Sequence, residues 1–120
     1  MSTIGLYSTL HSRLSECAEL LDQTLIQLKQ THRRTSSEQQ QKLGHLLSSL
    51  AQSPREVDAQ LLVILLQDSP KKSLADWSKV GHKLLSNKVT PAEITKLETL
   101  AKLLEYERAD TSARMRGGNA

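Results

Sequence analysis

At 120 residues, with 38% hydrophobic and 24% charged residues, the chain has the balance of one globular domain and not that of a disordered one. Its formal charge of +3 is too small to imply a nucleic-acid partner unless the basic residues cluster. One cysteine, Cys17, excludes an intrachain disulfide and fits a reducing, cytoplasmic setting, and the longest apolar run, residues 61–66, is far short of the roughly 20 residues that span a bilayer.

Residues 1–5 lack the basic-then-apolar order of a secretory signal. From about residue 3 to residue 31, Tyr7, Leu10, Leu14, Cys17, Leu21, Leu25 and Leu28 recur at steps of three and four, which predicts a long first helix with one apolar stripe. Ile4, Leu6, Leu20 and Ile26 widen that stripe. His32, Arg33, Arg34, Thr35 and Ser36 break the pattern as a loop. The run Thr35, Ser36, Ser37, Glu38 offers a capping box, in which a hydroxyl takes a free N–H and a carboxylate three residues on reaches back. The second helix should turn Leu43, Leu46, Leu47 and Leu50 inward and leave Gln39, Gln40 and Gln41 in solvent.

Ser53, Pro54 and Glu56 repeat the start signal for a third helix, with proline at the first helical position, where its missing N–H costs nothing. This helix should end near Asp68, ahead of Pro70. Its Leu61-Leu62-Val63-Ile64-Leu65-Leu66 run is apolar all round, which marks it as the central, most buried element. Ser73 and Asp76 open a fourth helix with Leu74, Trp77, Val80, Leu84 and Leu85 inward, closed by Asn87 and Lys88. Thr90, Pro91, Ala92 and Glu93 form the cleanest box. The fifth helix then turns Ile94, Leu97, Leu100, Ala101, Leu103 and Leu104 inward and carries a Glu98–Lys102 pair on its outer face.

With no Phe, one Trp and two Tyr, the core must be aliphatic, and the dominance of leucine favours helix over strand. The expected fold is all-α: a compact bundle of about five helices over residues 1–110, with a flexible basic tail at 111–120. Gly44 and Gly81 fall inside helices, where glycine costs up to about 1 kcal/mol against alanine, so each should mark a close helix–helix approach.

Catalytic and metal-binding patterns are missing. His11, His32, His45 and His82 have no His, Cys, Asp or Glu three or four residues away, the spacing that aims two ligands at one ion from a helix. Glu-x-x-His pairs of bundle di-metal sites are absent, as are a Gly-x-Ser-x-Gly elbow and a phosphate-cradling glycine loop. Cys17 lies on the apolar stripe, where its thiolate would be disfavoured. These features predict no enzyme activity, no metal, no cofactor and no small-molecule substrate.

What the pattern favours is a non-enzymatic protein–protein interaction module: a small adaptor, chaperone or regulatory subunit that binds a partner, or its own copy, through an exposed apolar helix face. The first helix reads as about twice as long as the others, so part of its stripe should lie uncovered, with Tyr7, Leu14, Leu21, Leu28, Trp77 and Tyr106 as the contact residues. The alternative is a nucleic-acid-associated accessory protein. Lys72, Lys79 and Lys83 can share a solvent face on the fourth helix, and Arg33, Arg34, Arg114 and Arg116 add further charge for phosphates. A helix-turn-helix centred on Gly81 does not fit, and exposed aromatics for base stacking are scarce.

Overall fold

A computed structural model describes residues 3–30, 37–52, 54–66 and 74–117, with residues 3–5 and 117 given as helix backbone only. Leucine at helical spacing produces five helices: α1 (Thr3–Leu28), α2 (Glu38–Ser48), α3 (Val57–Leu66), α4 (Leu74–Leu85) and α5 (Pro91–Gly117). Together they form the expected all-helical bundle, about 51 × 29 × 24 Å, with a long N-terminal helix.

Two antiparallel pairs make up most of the bundle, with α3 set against α2. In the first, α1 lies along α5. Lys29 Nζ meets Glu98 Oε2 at 3.0 Å near one end, and Arg114 of α5 lies close to Tyr7 of α1 near the other. In the second, α2 crosses α4. Gln40 Nε2 donates to Leu84 O (2.9 Å) and Asn87 Oδ1 (3.0 Å) at one end, and Ser78 Oγ donates to Ser48 O (2.8 Å) at the other. The core between the pairs is aliphatic, as composition required. Leu14, Leu21, Leu43, Leu47, Leu62, Leu84, Leu97 and Leu104 are almost wholly buried. Buried Thr24 and Thr111 satisfy their hydroxyls on the carbonyls of Leu20 and Glu107, both at 2.8 Å.

The two mid-helix glycines face each other across the α2–α4 crossing. A Cβ on Gly81 would run into the backbone nitrogen of Ser48 and lie 2.7 Å from Gly44 O and 2.9 Å from Leu47 C. A Cβ on Gly44 would lie 2.9 Å from Leu85 Cγ and Cδ2 and 3.1 Å from Gly81 O. The backbones therefore touch, as the glycine positions implied.

Several helix ends depart from the sequence reading. Ser37 caps α2, its hydroxyl accepting from Gln40 N at 3.0 Å, so the box begins two residues later than at Thr35; Thr35 and Ser36 lie outside the described residues. Glu38 lies 3.5 Å from Lys42. Gln40, expected in solvent, is buried, because its amide is used to close the end of α4; Gln41 Nε2 likewise donates to Leu85 O at 3.3 Å. Helix α3 begins at Val57, not at Pro54. The carbonyls of Pro54 and Arg55 accept from the Gln60 side chain, and Glu56 O takes the first helical bond, from Gln60 N. The signals at Ser53, Asp68, Pro70 and Ser73 lie outside the described residues.

Asn87 closes α4 as anticipated. It takes the left-handed conformation (φ 56°), with Lys88 N bonded to Lys83 O (2.9 Å) and Asn87 N to Leu84 O (3.3 Å), the paired bonds of a Schellman end. At the start of α5, the N–H and hydroxyl of Thr90 both donate to Glu93 Oε1, at 2.9 and 2.8 Å.

Three expectations about architecture are overturned. The third helix is not central: only Ala59, Leu62 and Leu66 of its ten residues are buried, because the glycine crossing gives α4 the place against α2. The first helix is not uniquely long, since α5 has 27 residues against its 26. Residues 111–117 are helical instead of a frayed tail. Buried Thr111 and the 3.0 Å Asp110–Arg114 pair carry α5 on beside the N-terminal half of α1. Glu98 pairs with Lys29 of α1, not with Lys102.

These contacts make the two glycines unequal. Gly81→Ala is expected to destabilise by about 3 kcal/mol, since rigid backbone must move. Gly44→Ala should cost about 1 kcal/mol or less, because Leu85 can yield and alanine regains helix propensity. Urea unfolding midpoints of the two variants provide the check.

Candidate functional site

Of the residues expected to contact a partner, Leu14, Leu21, Leu28 and Trp77 are core side chains and offer no surface. The first three lie on the α1 stripe, which α5 covers along its length. Tyr7 is half-buried beside Arg114, and Tyr106 is 68% exposed. Leu6 and Ile26, read as widening the inward stripe, instead face solvent.

The basic candidates are spread out and partly engaged. Lys79 is exposed on α4, but Lys83 Nζ lies 3.3 Å from Oε2 of the buried Glu93. Arg114 faces Asp110 and Tyr7, both of which raise its pKa, and Arg116 is exposed. Arg33, Arg34 and Lys72 lie outside the described residues.

The surface that sequence reasoning missed is on α3. Val57, Leu61 and Ile64 follow one another at i, i+4 and i+7 along its outer side; Val57 is 54% exposed, Ile64 62% exposed and Leu61 half-buried. The opposite side carries the buried Ala59, Leu62 and Leu66. A helix apolar all round has two such stripes, and only packing decides which of them is covered.

At the N-terminal end of this stripe, α1, α2 and α3 enclose a cleft of about 380 Å³, lined by Leu20, Lys42, His45, Leu46, Glu56 and Asp58. Asp58 is pushed above the ordinary aspartate range by burial, with Arg13, 3.9 Å away, opposing the shift. Cys17, buried nearby on α1, is pushed up to about 12, first by burial and then by the charges of Asp58 and Glu16. It is thus a packed thiol that resists ionisation. Glu93 is held below the ordinary value of 4.5, chiefly by the Thr90 backbone N–H and further by the Thr90 hydroxyl and Lys83. Among the described residues no three His, Cys, Asp or Glu side chains group to hold a metal ion, and no helix is long and apolar enough to cross a membrane.

No protein-family model, curated protein or solved structure matches this chain.

Two chemical outcomes follow from these environments. Alkylation of Cys17 by iodoacetamide at pH 8 should run at least about 100-fold slower in the folded chain than in urea, because the thiol is both buried and resistant to ionisation. Glu93 has a lower pKa folded than unfolded, so its contribution is complete above about 4.5 and is lost as pH falls through the folded value. Glu93→Gln should therefore lower stability by about 1 kcal/mol at pH 7. Urea midpoints of the two proteins should converge as the pH is taken below the ordinary glutamate value.

Proposed function

We propose that this chain is a non-enzymatic protein-interaction module, working as a small adaptor, chaperone or regulatory subunit, and that it binds through the outer stripe of α3. The observation carrying this reading is the exposure of Val57 and Ile64 on the most apolar segment of the chain, with Leu61 between them. Apolar anchors at i, i+4 and i+7 are the spacing at which one helix engages another or a groove. Isolated surface apolar residues are ordinary, but a row of them on one helix marks a contact surface.

The α1 stripe no longer serves this role, because its central leucines are spent on α5 and the core. Phosphate binding along α4 has less support, because Lys83 is engaged with the buried Glu93 carboxylate.

The double variant Val57→Glu, Ile64→Glu tests the reading. Both positions are more than half exposed, so each substitution should change stability by only about 0.5 kcal/mol, which thermal unfolding can verify. Affinity capture from the native host in the presence of nuclease should recover a protein with the wild-type chain and lose it with the variant. Equal recovery by both would remove α3 as the surface. A partner lost from both only when nuclease is present would replace the proposal with nucleic-acid association.

A further inference from the structure

Val57, the first residue of the α3 stripe, stands in sequence between two residues that line the cleft, Glu56 and Asp58, and the two features together describe a partner more specifically than either alone. Leu20 of α1 and Leu46 of α2 supply the apolar part of the cleft lining, and Glu56 and Asp58 border it on the α3 side. Asp58 lies in the first turn of α3, next in sequence to Val57. Its Oδ1 is buried and accepts no hydrogen bond from the described residues, and the Arg13 Nη1 beside it, at 3.9 Å, is beyond hydrogen-bond reach.

The cations around the cleft are already shared. Arg13 Nη1 also lies 3.7 Å from Glu16, and Lys42 Nζ lies 3.5 Å from Glu38. The cleft lining sets the carboxylates of Glu56 and Asp58 beside Lys42 and His45, and the two nearby cations, Arg13 and Lys42, are each drawn to a further carboxylate, Glu16 and Glu38. This corner is negative on a chain whose formal charge is +3 with histidine neutral. By contrast, the open groove along the α1–α5 seam sets Asp22, Glu98 and Glu105 against Lys102 and Arg108, with Lys29 on Glu98, and carries no such excess.

We propose that α3 and this cleft together bind a protein segment that lays apolar side chains on Val57, Leu61 and Ile64 and sets an arginine or lysine over Glu56 and Asp58. The inference rests on the protein-interaction reading above and adds the charge of the partner. The aliphatic stem of the basic residue lies along Leu20 and Leu46 while its head reaches the carboxylates. Arginine is favoured, because its planar fork can serve two carboxylates at once and is weakly hydrated. The apolar stripe supplies the contact area, and the acidic end sets the direction in which the segment lies.

Two labelled amphipathic helical peptides test this against the full-length protein. Both carry leucine at i, i+4 and i+7; one has arginine and the other glutamate at the flank that faces the cleft. The arginine peptide should bind at least about tenfold more tightly, with amide shifts over residues 57–64, and added salt should narrow the difference. Glu56→Gln and Asp58→Asn should each reduce that preference. Glu56 is exposed, so its variant keeps the test valid should Asp58→Asn disturb the fold. Equal binding of the two peptides, still abolished by Ile64→Glu, would overturn the charge assignment and leave the α3 surface standing. Failure of both peptides to shift the α3 amides would overturn the two readings together.

Discussion

Helices α2 and α4 meet where Gly44 and Gly81 face one another, with no room between the backbones for a methyl group on Gly81. That separation is what the other α2–α4 interactions require. Ser78 can donate to Ser48 O, and Gln40 and Gln41 can reach Leu84 O and Leu85 O, only because the helix axes are this close. Helix pairs with larger residues at the crossing stand further apart. The loss of helix propensity at two glycines is offset by these hydrogen bonds and by dense packing of Leu43, Leu47, Val80 and Leu84.

The crossing also organises the corner from which α5 departs. Asn87, in the left-handed conformation that ends α4, accepts from the buried Gln40 amide, so one side chain of α2 stabilises the turn. Three residues later Thr90 starts α5, and the buried Glu93 carboxylate is satisfied by Thr90 and by Lys83 of α4. A buried carboxylate with fewer partners would be costly. Here it links the end of one helix to the start of the next and helps direct α5 back along α1.

Because α4 occupies the place against α2, the most apolar segment of the chain is left on the flank. Helix α3 buries one side through Ala59, Leu62 and Leu66 and shows the other to solvent. Apolar content alone did not decide which helix became central; the smallest side chains did, since they let backbones approach. The same displacement leaves the N-terminal end of α3 at an acidic cleft, and the inference about the partner's charge rests on that adjacency.

Much of the fold was legible in the residues themselves. Leucine spacing identified five helices and nearly all of the core, Asn87 and the Thr90–Glu93 box marked their ends, and Gly44 and Gly81 announced a close approach. These signals are local, or depend on a periodicity that repeats within a few turns. The exposed apolar surface was not legible in the same way. Leu14, Leu21, Leu28 and Trp77 read as inward residues that could also serve as contacts, because an apolar stripe does not say what covers it. Gln40 looked like a solvated amide until the end of α4 was brought to it, and the polar sequence past Asp110 looked like a tail until α1 lay beside it. Sequence by itself determined the helices and, α3 apart, most of their inward residues, through backbone propensity and side-chain period. Tertiary structure alone decided which apolar face stayed open and which carboxylates gathered beside it, because both depend on residues far apart in the chain that meet only on packing.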